Sequence, residues 1–344
     1  MDPLTDRQKI ILTLVIHEYI RTGVTVTSQL LVDNHHLGVS SATVRNELAA
    51  LTDMGFLRQP HTSAGRVPTE EGYRFFVGRM LQESELPAVT RRTITHQFYQ
   101  MRHDVDEWMR LAASILAHQS KAASLVTAPH AERVCLKHLE LIATHGRQVL
   151  MVLVMVGGEI HQRILTMNEL VSQENLSTAA DRITNLFQGK TSEEISVLSA
   201  PLQGLDADVI AMVLQEMQQA NKLASGEVYL DGMSNVLSDS EFTGTQDARR
   251  ALRVLEEKPM LQDFLARTVL TGGVGGVQVL IGGEGYWEDL RQCSIVLARY
   301  GVPGLATGTV GVLGPLRMSY GRSISTVRFL ASLLSEMVAE SLAE

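Results

Sequence analysis

The sequence predicts an α+β chain of more than one domain: a small helical head closed by a tight hairpin, then a larger body of strands and helices. Three observations predict it. At 344 residues and 45% apolar content the chain exceeds what one core ordinarily fills. Capped helical periods follow one another to about residue 55, and a Pro- and Gly-containing, hydroxyl-rich turn follows at once over 59–69. Past residue 138 the apolar spacing switches from helical three-and-four steps to alternation.

In the head, Thr5 with Gln8 makes a capping box. Ile10, Ile11, Leu14, Val15 and Ile16 supply the buried side of the helix, and Gly23 ends it. Thr27 or Ser28 caps a second helix carrying Leu30 and Leu31, and Leu37-Gly38-Val39 is the turn. Ser40 or Ser41 caps a third helix that runs to about Met54, with Gly55 as its stop. Projected at 100° per residue, Val44, Leu48 and Leu51 face inward. Ala42, Asn46, Ala49 and Asp53 fall opposite, with Thr43, Arg45 and Ala50 on the flanks. An amide can pair with adenine and a guanidinium with guanine in a major groove, and alanines leave room for close approach. Glu47 and Asp53 repel phosphate, so they are expected to point away or to meet a base amine. Taken alone, this helix serves a plain helical bundle with a polar surface equally well.

The hairpin shifts that balance. Phe56 and Leu57 begin a short strand, Arg58, His61, Thr62, Ser63 and Arg66 surround the turn, and Ala64-Gly65 lets it be tight. Val67 starts the return strand and Pro68 limits it. Hydroxyls, backbone amides and two arginines suit phosphate. A plain hairpin closing the domain is the bland alternative, and it gives no reason for Arg66 at the tip of a glycine turn. A helix-turn-helix running into such a hairpin is a winged helix, which places one helix in a DNA major groove and the hairpin over the adjacent backbone. Thr69, Glu70 and Glu71 then open a helix through Tyr73, Phe75 and Phe76.

Charge fits a reader that depends on a few placed cations. The net charge is -8, yet residues 1–80 carry eight Lys/Arg and eight Asp/Glu, so the acidic excess lies beyond the head. A non-specific nucleic-acid coat is excluded by that balance, and a stacking platform for single strands by 5% aromatics. Two cysteines, Cys135 and Cys293, suggest a reducing compartment. With the apolar run 149–156 too short to span a bilayer, a soluble cytoplasmic protein without membrane association is expected.

The body begins with a long helical stretch over 87–128, in which Phe98, Met101, Val105, Trp108, Met109, Ala112, Ile115 and Leu116 recur at three and four residue steps. It serves as a brace or as a relay between body and head. Leu139, Leu141 and Ala143 alternate, 148–156 is a continuous apolar strand, Gly157-Gly158 a hairpin turn, and 160–167 alternates again. Further strands are expected at 277–281, 294–298 and 308–313, and helices at 178–187, 207–223, 247–270 and 323–342. Strands before and after a helical block fit one sheet interrupted by an insertion. The last helix carries Val327, Leu330, Ala331, Leu334, Val338 and Leu342 in register to cover that sheet. Met212, Val213, Leu214 and Met217 form either a dimer face or a private core.

Several words in this chain resemble the bacterial heat-inducible transcription repressor family HrcA. They are Leu4-Thr5-Asp6-Arg7-Gln8, the run 38–47 (GVSSATVRNE), the run 59–69 (QPHTSAGRVPT), the run 229–235 (YLDGMSN) and the run 314–320 (GPLRMSY). The match extends over essentially the whole chain and is poorest in recognisable words over 190–225. The resemblance implies a homodimeric repressor of chaperone operons of the groE and dnaK type, acting at an inverted-repeat operator in double-stranded DNA. It implies a winged-helix head over 1–80, a helical connector over 81–130, a GAF-like α/β domain over 131–170 and 261–344, and an inserted dimerising domain over 171–260. It further implies that the GroEL chaperonin keeps the repressor active.

No chemistry of catalysis is expected. Thr271-Gly272-Gly273-Val274-Gly275-Gly276 lacks the Lys-Ser/Thr ending of a phosphate loop and the spacing of a dinucleotide loop, and is expected to be a mobile linker. The histidines include no His-Glu-x-x-His, and His35-His36 come without a cysteine cluster, so neither metal nor cofactor is expected. The expected DNA-contacting set is Ser40, Ser41, Thr43, Arg45, Asn46, Arg58, His61, Thr62, Ser63 and Arg66. The competing expectation is a DNA-binding regulator gated by a small molecule in the body's GAF-like pocket.

Overall fold

The computed structural model describes residues 4–343 except 62–63, 81–84, 102–103, 132–133, 157–159, 224–226, 239–245, 258–259, 262–263, 266–267, 269–272 and 283–286. The chain divides into two units. One comprises residues 1–127, 228–300 and 309–334, the other 128–227, 301–308 and 335–344. The architecture is α+β and multidomain, with helices dominating the amino-terminal part.

In the first unit, helices α1 (Asp6–Thr22), α2 (Ser28–His35) and α3 (Ser41–Asp53) precede strands β1 (Leu57–Arg58) and β2 (Val67–Pro68) and helix α4 (Glu70–Phe75). The caps fall where short-range chemistry puts them. Thr5 and Gln8 close the capping box on α1, Thr27 caps α2 and Ser40 caps α3. Gly23 and Gly38 take left-handed backbone, with φ 66° at both. The buried face of α1 differs by one step from expectation: Leu12 is buried and Ile10 exposed, because the face is set by contact with α3 and β2 rather than by α1 alone. The expected long helix over 87–128 is two helices and a strand. α5 (Ala88–Gln100) ends at Met101, whose backbone is extended, Asp104 caps α6 (Val105–Ser120), and β3 (Ala123–Thr127) follows. The connector expected over 81–130 therefore stops short, since 123–127 is an interior strand of the body sheet.

That sheet has six strands. With β4 (His130–Ala131), β8 (Val228–Asp231), β9 (Val277–Ile281), β10 (Cys293–Val302) and β11 (Ala306–Pro315) its order is β8-β3-β11-β10-β9, and β4 pairs with the start of β11. β3 pairs antiparallel with both β8 and β11, so segments a hundred residues apart in sequence lie side by side. Ala123, Leu125, Ile295, Leu297 and Leu313 share one core with Val236 of α10 (Met233–Leu237), Val254 and Leu255 of α11 (Gln246–Glu256) and Phe264. Tyr300 is fully buried and its hydroxyl donates to the Thr127 carbonyl at 2.6 Å; burial pushes its phenol well above the usual range. The expected mobile linker is ordered where described: Val274 bridges Arg299, and the Gly275 amide donates to the Arg299 carbonyl at 2.9 Å. Thr271 and Gly272 lie outside the described residues. The final helix, α12 (Tyr320–Ala343), buries Val327, Leu330, Ala331, Leu334 and Val338.

The second unit has its own sheet, β5 (Leu136–Ala143), β6 (Gln148–Met155) and β7 (Ile160–Thr166), antiparallel in that order. The strands over 136–166 thus do not join those of 261–344 in one sheet, as alternation had suggested. Alternation says that one face of a strand is buried and is silent about the partner. Here the inward rows Leu139 and Leu141, Val149, Met151 and Leu153, and Leu165 pack on α7 (Gln173–Phe187), α8 (Ser192–Leu198) and α9 (Leu205–Leu223). Val213 and Met217 are fully buried in that core, and Met212 and Leu214 are partly buried against it. The turn expected at Gly157-Gly158 falls outside the described residues.

Candidate nucleic-acid interface

α3 presents the expected face. Val44, Leu48 and Leu51 are buried, while Arg45 and Asn46 are exposed. Ser40 Oγ accepts from the Thr43 amide at 3.2 Å and sits 3.0 Å from Thr43 Oγ1, so two hydroxyls meet at the helix start. Ser41 is turned toward its neighbour helix: its Oγ lies 3.0 Å from Ser28 Oγ at the first turn of α2. Glu47, the acid that would repel phosphate, is half-buried and paired with Arg7 of α1 at 3.6 Å. Such a pair contributes little to stability, but it screens a negative charge on the outward helix. Arg7 was missed from the sequence because its partner lies forty residues away.

The angle between α1 and α2 is held by a buried carboxylate. Glu18 accepts from Arg21 Nη2 at 2.6 Å and lies 3.1 Å from His35 Nε2. The Arg21 hydrogen bond, with help from His35, holds its carboxyl below the usual range against the opposing effect of burial.

The hairpin places Arg58 and His61 in solvent; Thr62 and Ser63 lie outside the described residues. The turn is closed by the Ala64 amide donating to the His61 carbonyl at 2.9 Å and by Gln59 Nε2 donating to the Ala64 carbonyl at 3.0 Å. Arg66 is not at the tip. It is half-buried at the base, where its Nε donates to Thr52 Oγ1 at 2.9 Å and its backbone exchanges two hydrogen bonds with Val26 at 2.9 and 2.8 Å. This gives the hairpin a third extended segment and ties it to the end of α3. Gly65 makes the approach possible, since a Cβ there would sit 2.5 Å from the Val26 carbonyl oxygen. The β-branched run at 24–27 was the available signal for that edge.

In the body, a small apolar cavity of about 10 Å³ lies between Leu125, Ile295 and Leu313 on one side and Val254, Leu255 and Phe264 on the other. It has room for no more than one water. Among the described residues no group of three or more His, Cys, Asp or Glu side chains could hold a metal, and no helix is long and apolar enough to cross a membrane.

An outward helix carrying a guanidinium and an amide, anchored to a cationic hairpin on a larger α+β body, is the equipment of a DNA-binding transcriptional regulator. Comparison with known proteins specifies it. The model of the HrcA protein C terminal domain matches residues 106–324. The heat-inducible transcription repressor HrcA of Roseiflexus castenholzii is 41% identical over 345 residues, covering 98% of this chain and 95% of the relative. That of Thermomicrobium roseum is 39% identical over 341 residues, covering 98% and 96%. A crystal structure of a hypothetical protein at 2.2 Å resolution shares the fold, with a TM-score of 0.60 at 23% identity over 98% of both chains. The chain belongs to the HrcA family of heat-inducible transcription repressors. It is a transcriptional regulator and not an enzyme.

Proposed function

We propose that the head is a winged helix that represses heat-shock chaperone operons by holding an inverted-repeat operator as a homodimer. α3 enters the major groove of each half-site, where Asn46, Arg45 and Thr43 read bases. Ser40, Ser41, Arg58, His61, Thr62, Ser63 and Arg66 engage sugar and phosphate, Arg66 mainly by holding the hairpin against Thr52. The observation that carries this reading is the exposure of Arg45 and Asn46 on a helix whose opposite side is fully buried. Repression follows from occupancy, with no bond made or broken.

A two-fold operator asks for a two-fold protein. The surface best suited to joining two copies is the outer face of the three-stranded sheet. Register places Ile142, Leu150 and Ile164 in one rung and Val154 beside Ile160 in another, and Ile142, Ile160 and Ile164 are exposed. On this reading the dimerising domain is the compact part over 128–227, where the resemblance implied 171–260. The six-stranded sheet with its helices is the GAF-like part, and the protein acts in the cytoplasm. GroEL assistance belongs to the same proposal and rests on family membership.

The test is a gel shift with an inverted-repeat duplex selected from a random pool by the wild-type protein. Asn46→Ala should lose choice among operator bases, by about 1–3 kcal/mol for one adenine-type contact. An unchanged footprint and base preference in Asn46→Ala would remove the base-reading assignment. Operator affinity that is indifferent to added GroEL would remove the chaperonin from the account.

A further inference from the structure

The run 314–320 is accounted for neither by the DNA-facing residues nor by the dimer face, yet it lies where the head meets the body sheet. Tyr320, at the start of α12, packs its ring 5.7 Å from that of Tyr73 on α4, and both are fully buried. One residue on, Arg74 Nη2 donates to the Ile281 carbonyl at the end of β9, at 2.8 Å, while also holding Glu70 at 3.1 Å. The Glu70 carboxylate lies so close over Gly282 that any Cβ there would collide with it. From the same run, the Arg317 guanidinium rests against Gly23, the carboxy-terminal cap of α1, with Nη1 3.3 Å from where a Cβ would be. A cation there faces the negative end of the helix dipole.

The connection from this seat back to α3 has little slack. Thr69 caps α4 and its hydroxyl donates to the Gly55 carbonyl at 2.6 Å, its amide donates to the Phe56 carbonyl at 3.1 Å, and the Phe56 amide donates to Leu51 of α3 at 3.0 Å. Gly72 packs directly on the Phe56 carbonyl, leaving no room for a side chain. Recognition helix, α4 and body sheet are thus joined in series by hydrogen bonds and close backbone contacts.

We propose that this seat, with Arg74 and Arg317 as positioning residues, fixes the orientation of α3 on the body and thereby sets the half-site spacing the dimer accepts. The inference rests on the dimeric operator reading given above. Shifting a half-site by one base pair moves it by about 3.4 Å and turns it by about 35° around the duplex. A head on a loose tether follows such a shift; a seated head does not, and forfeits the gain of about 10²–10⁴ that simultaneous engagement provides.

The experiment measures binding of full-length wild type, Arg74→Ala and Arg317→Ala to duplexes carrying the pool-selected repeat with its spacer lengthened or shortened by one and two base pairs, and to a single half-site. Arg74 lies on α4 and Arg317 in the turn before α12, so either variant tests the seat if the other fails to fold. Wild type should prefer its own spacing by about a hundredfold, and the variants by about tenfold or less, with single half-site affinity unchanged. Equal preference in wild type and variants overturns the seat, and so does an equal loss at every spacing and at the single half-site, which marks a merely structural role. If wild type selects no inverted repeat at all, the operator reading fails first, and the seat with it.

Discussion

Gly65→Ala isolates one steric contact. A Cβ at that position would lie 2.5, 2.6 and 2.9 Å from the carbonyl oxygen, carbonyl carbon and amide nitrogen of Val26, all of them backbone atoms that cannot rotate aside. Gly65 does not have a positive φ, so the effect comes from space and not from the backbone preference of alanine. Two routes relieve the overlap. The Val26–Arg66 bridge opens, losing two backbone hydrogen bonds at about 0.5–1.5 kcal/mol each. Alternatively the bridge holds and the head absorbs an overpacking strain of about 1–3 kcal/mol. Either route weakens the hairpin base by about 1–3 kcal/mol, which speeds amide exchange by roughly 5- to 150-fold. The assay is hydrogen exchange at the Val26 and Arg66 amides, each a donor in the bridge. Gly78→Ala is the control: a Cβ there meets nothing within 4 Å, so exchange should be unchanged or slightly slower. Exchange at Val26 and Arg66 within about twofold of wild type would refute the steric reasoning, since a 1 kcal/mol loss already exceeds it.

Three further outcomes are expected. Arg58→Ala, at an exposed site, should lower the slope of log affinity against log salt by about 0.9, one phosphate contact, and leave stability unchanged; an unaltered slope takes Arg58 out of the interface. Glu18→Gln should destabilise the head by about 1–2 kcal/mol at neutral pH, less than a fully buried pair because Arg21 is largely exposed. The folded carboxyl sits below its unfolded value of about 4.3, so its contribution is present above that pH and lost as pH falls through the folded value. The gap between variant and wild type in urea unfolding should therefore close in acid, and a gap independent of pH would contradict the assignment. Ile164→Lys, on the outer sheet face, should convert dimer to monomer in sedimentation while circular dichroism is preserved; a persistent dimer places the two-fold elsewhere.

Much of the head was legible in the chain because its instructions are local. Thr5, Thr27 and Ser40 satisfy helix amides within three residues, and Gly23 and Gly38 adopt left-handed backbone that glycine takes without penalty. The outward position of Arg45 and Asn46 follows from helical geometry once Val44, Leu48 and Leu51 are buried. Arg66 was misplaced because its partners, Thr52 and Val26, are chosen by how the hairpin folds back on the head.

Composition and spacing by themselves determined the caps, turns, apolar faces and cationic hairpin of this protein. The tertiary structure decided that β3 lies between β8 and β11, that β5, β6 and β7 form a separate sheet, and that Tyr73, Arg74 and Arg317 meet Tyr320, Ile281 and Gly23. A cap or turn is satisfied by atoms a few residues away, whereas an alternating strand or a long cation only specifies that something must cover it. What covers it is settled by the packing of the whole chain, where burial and hydrogen bonding across a hundred residues must be met together.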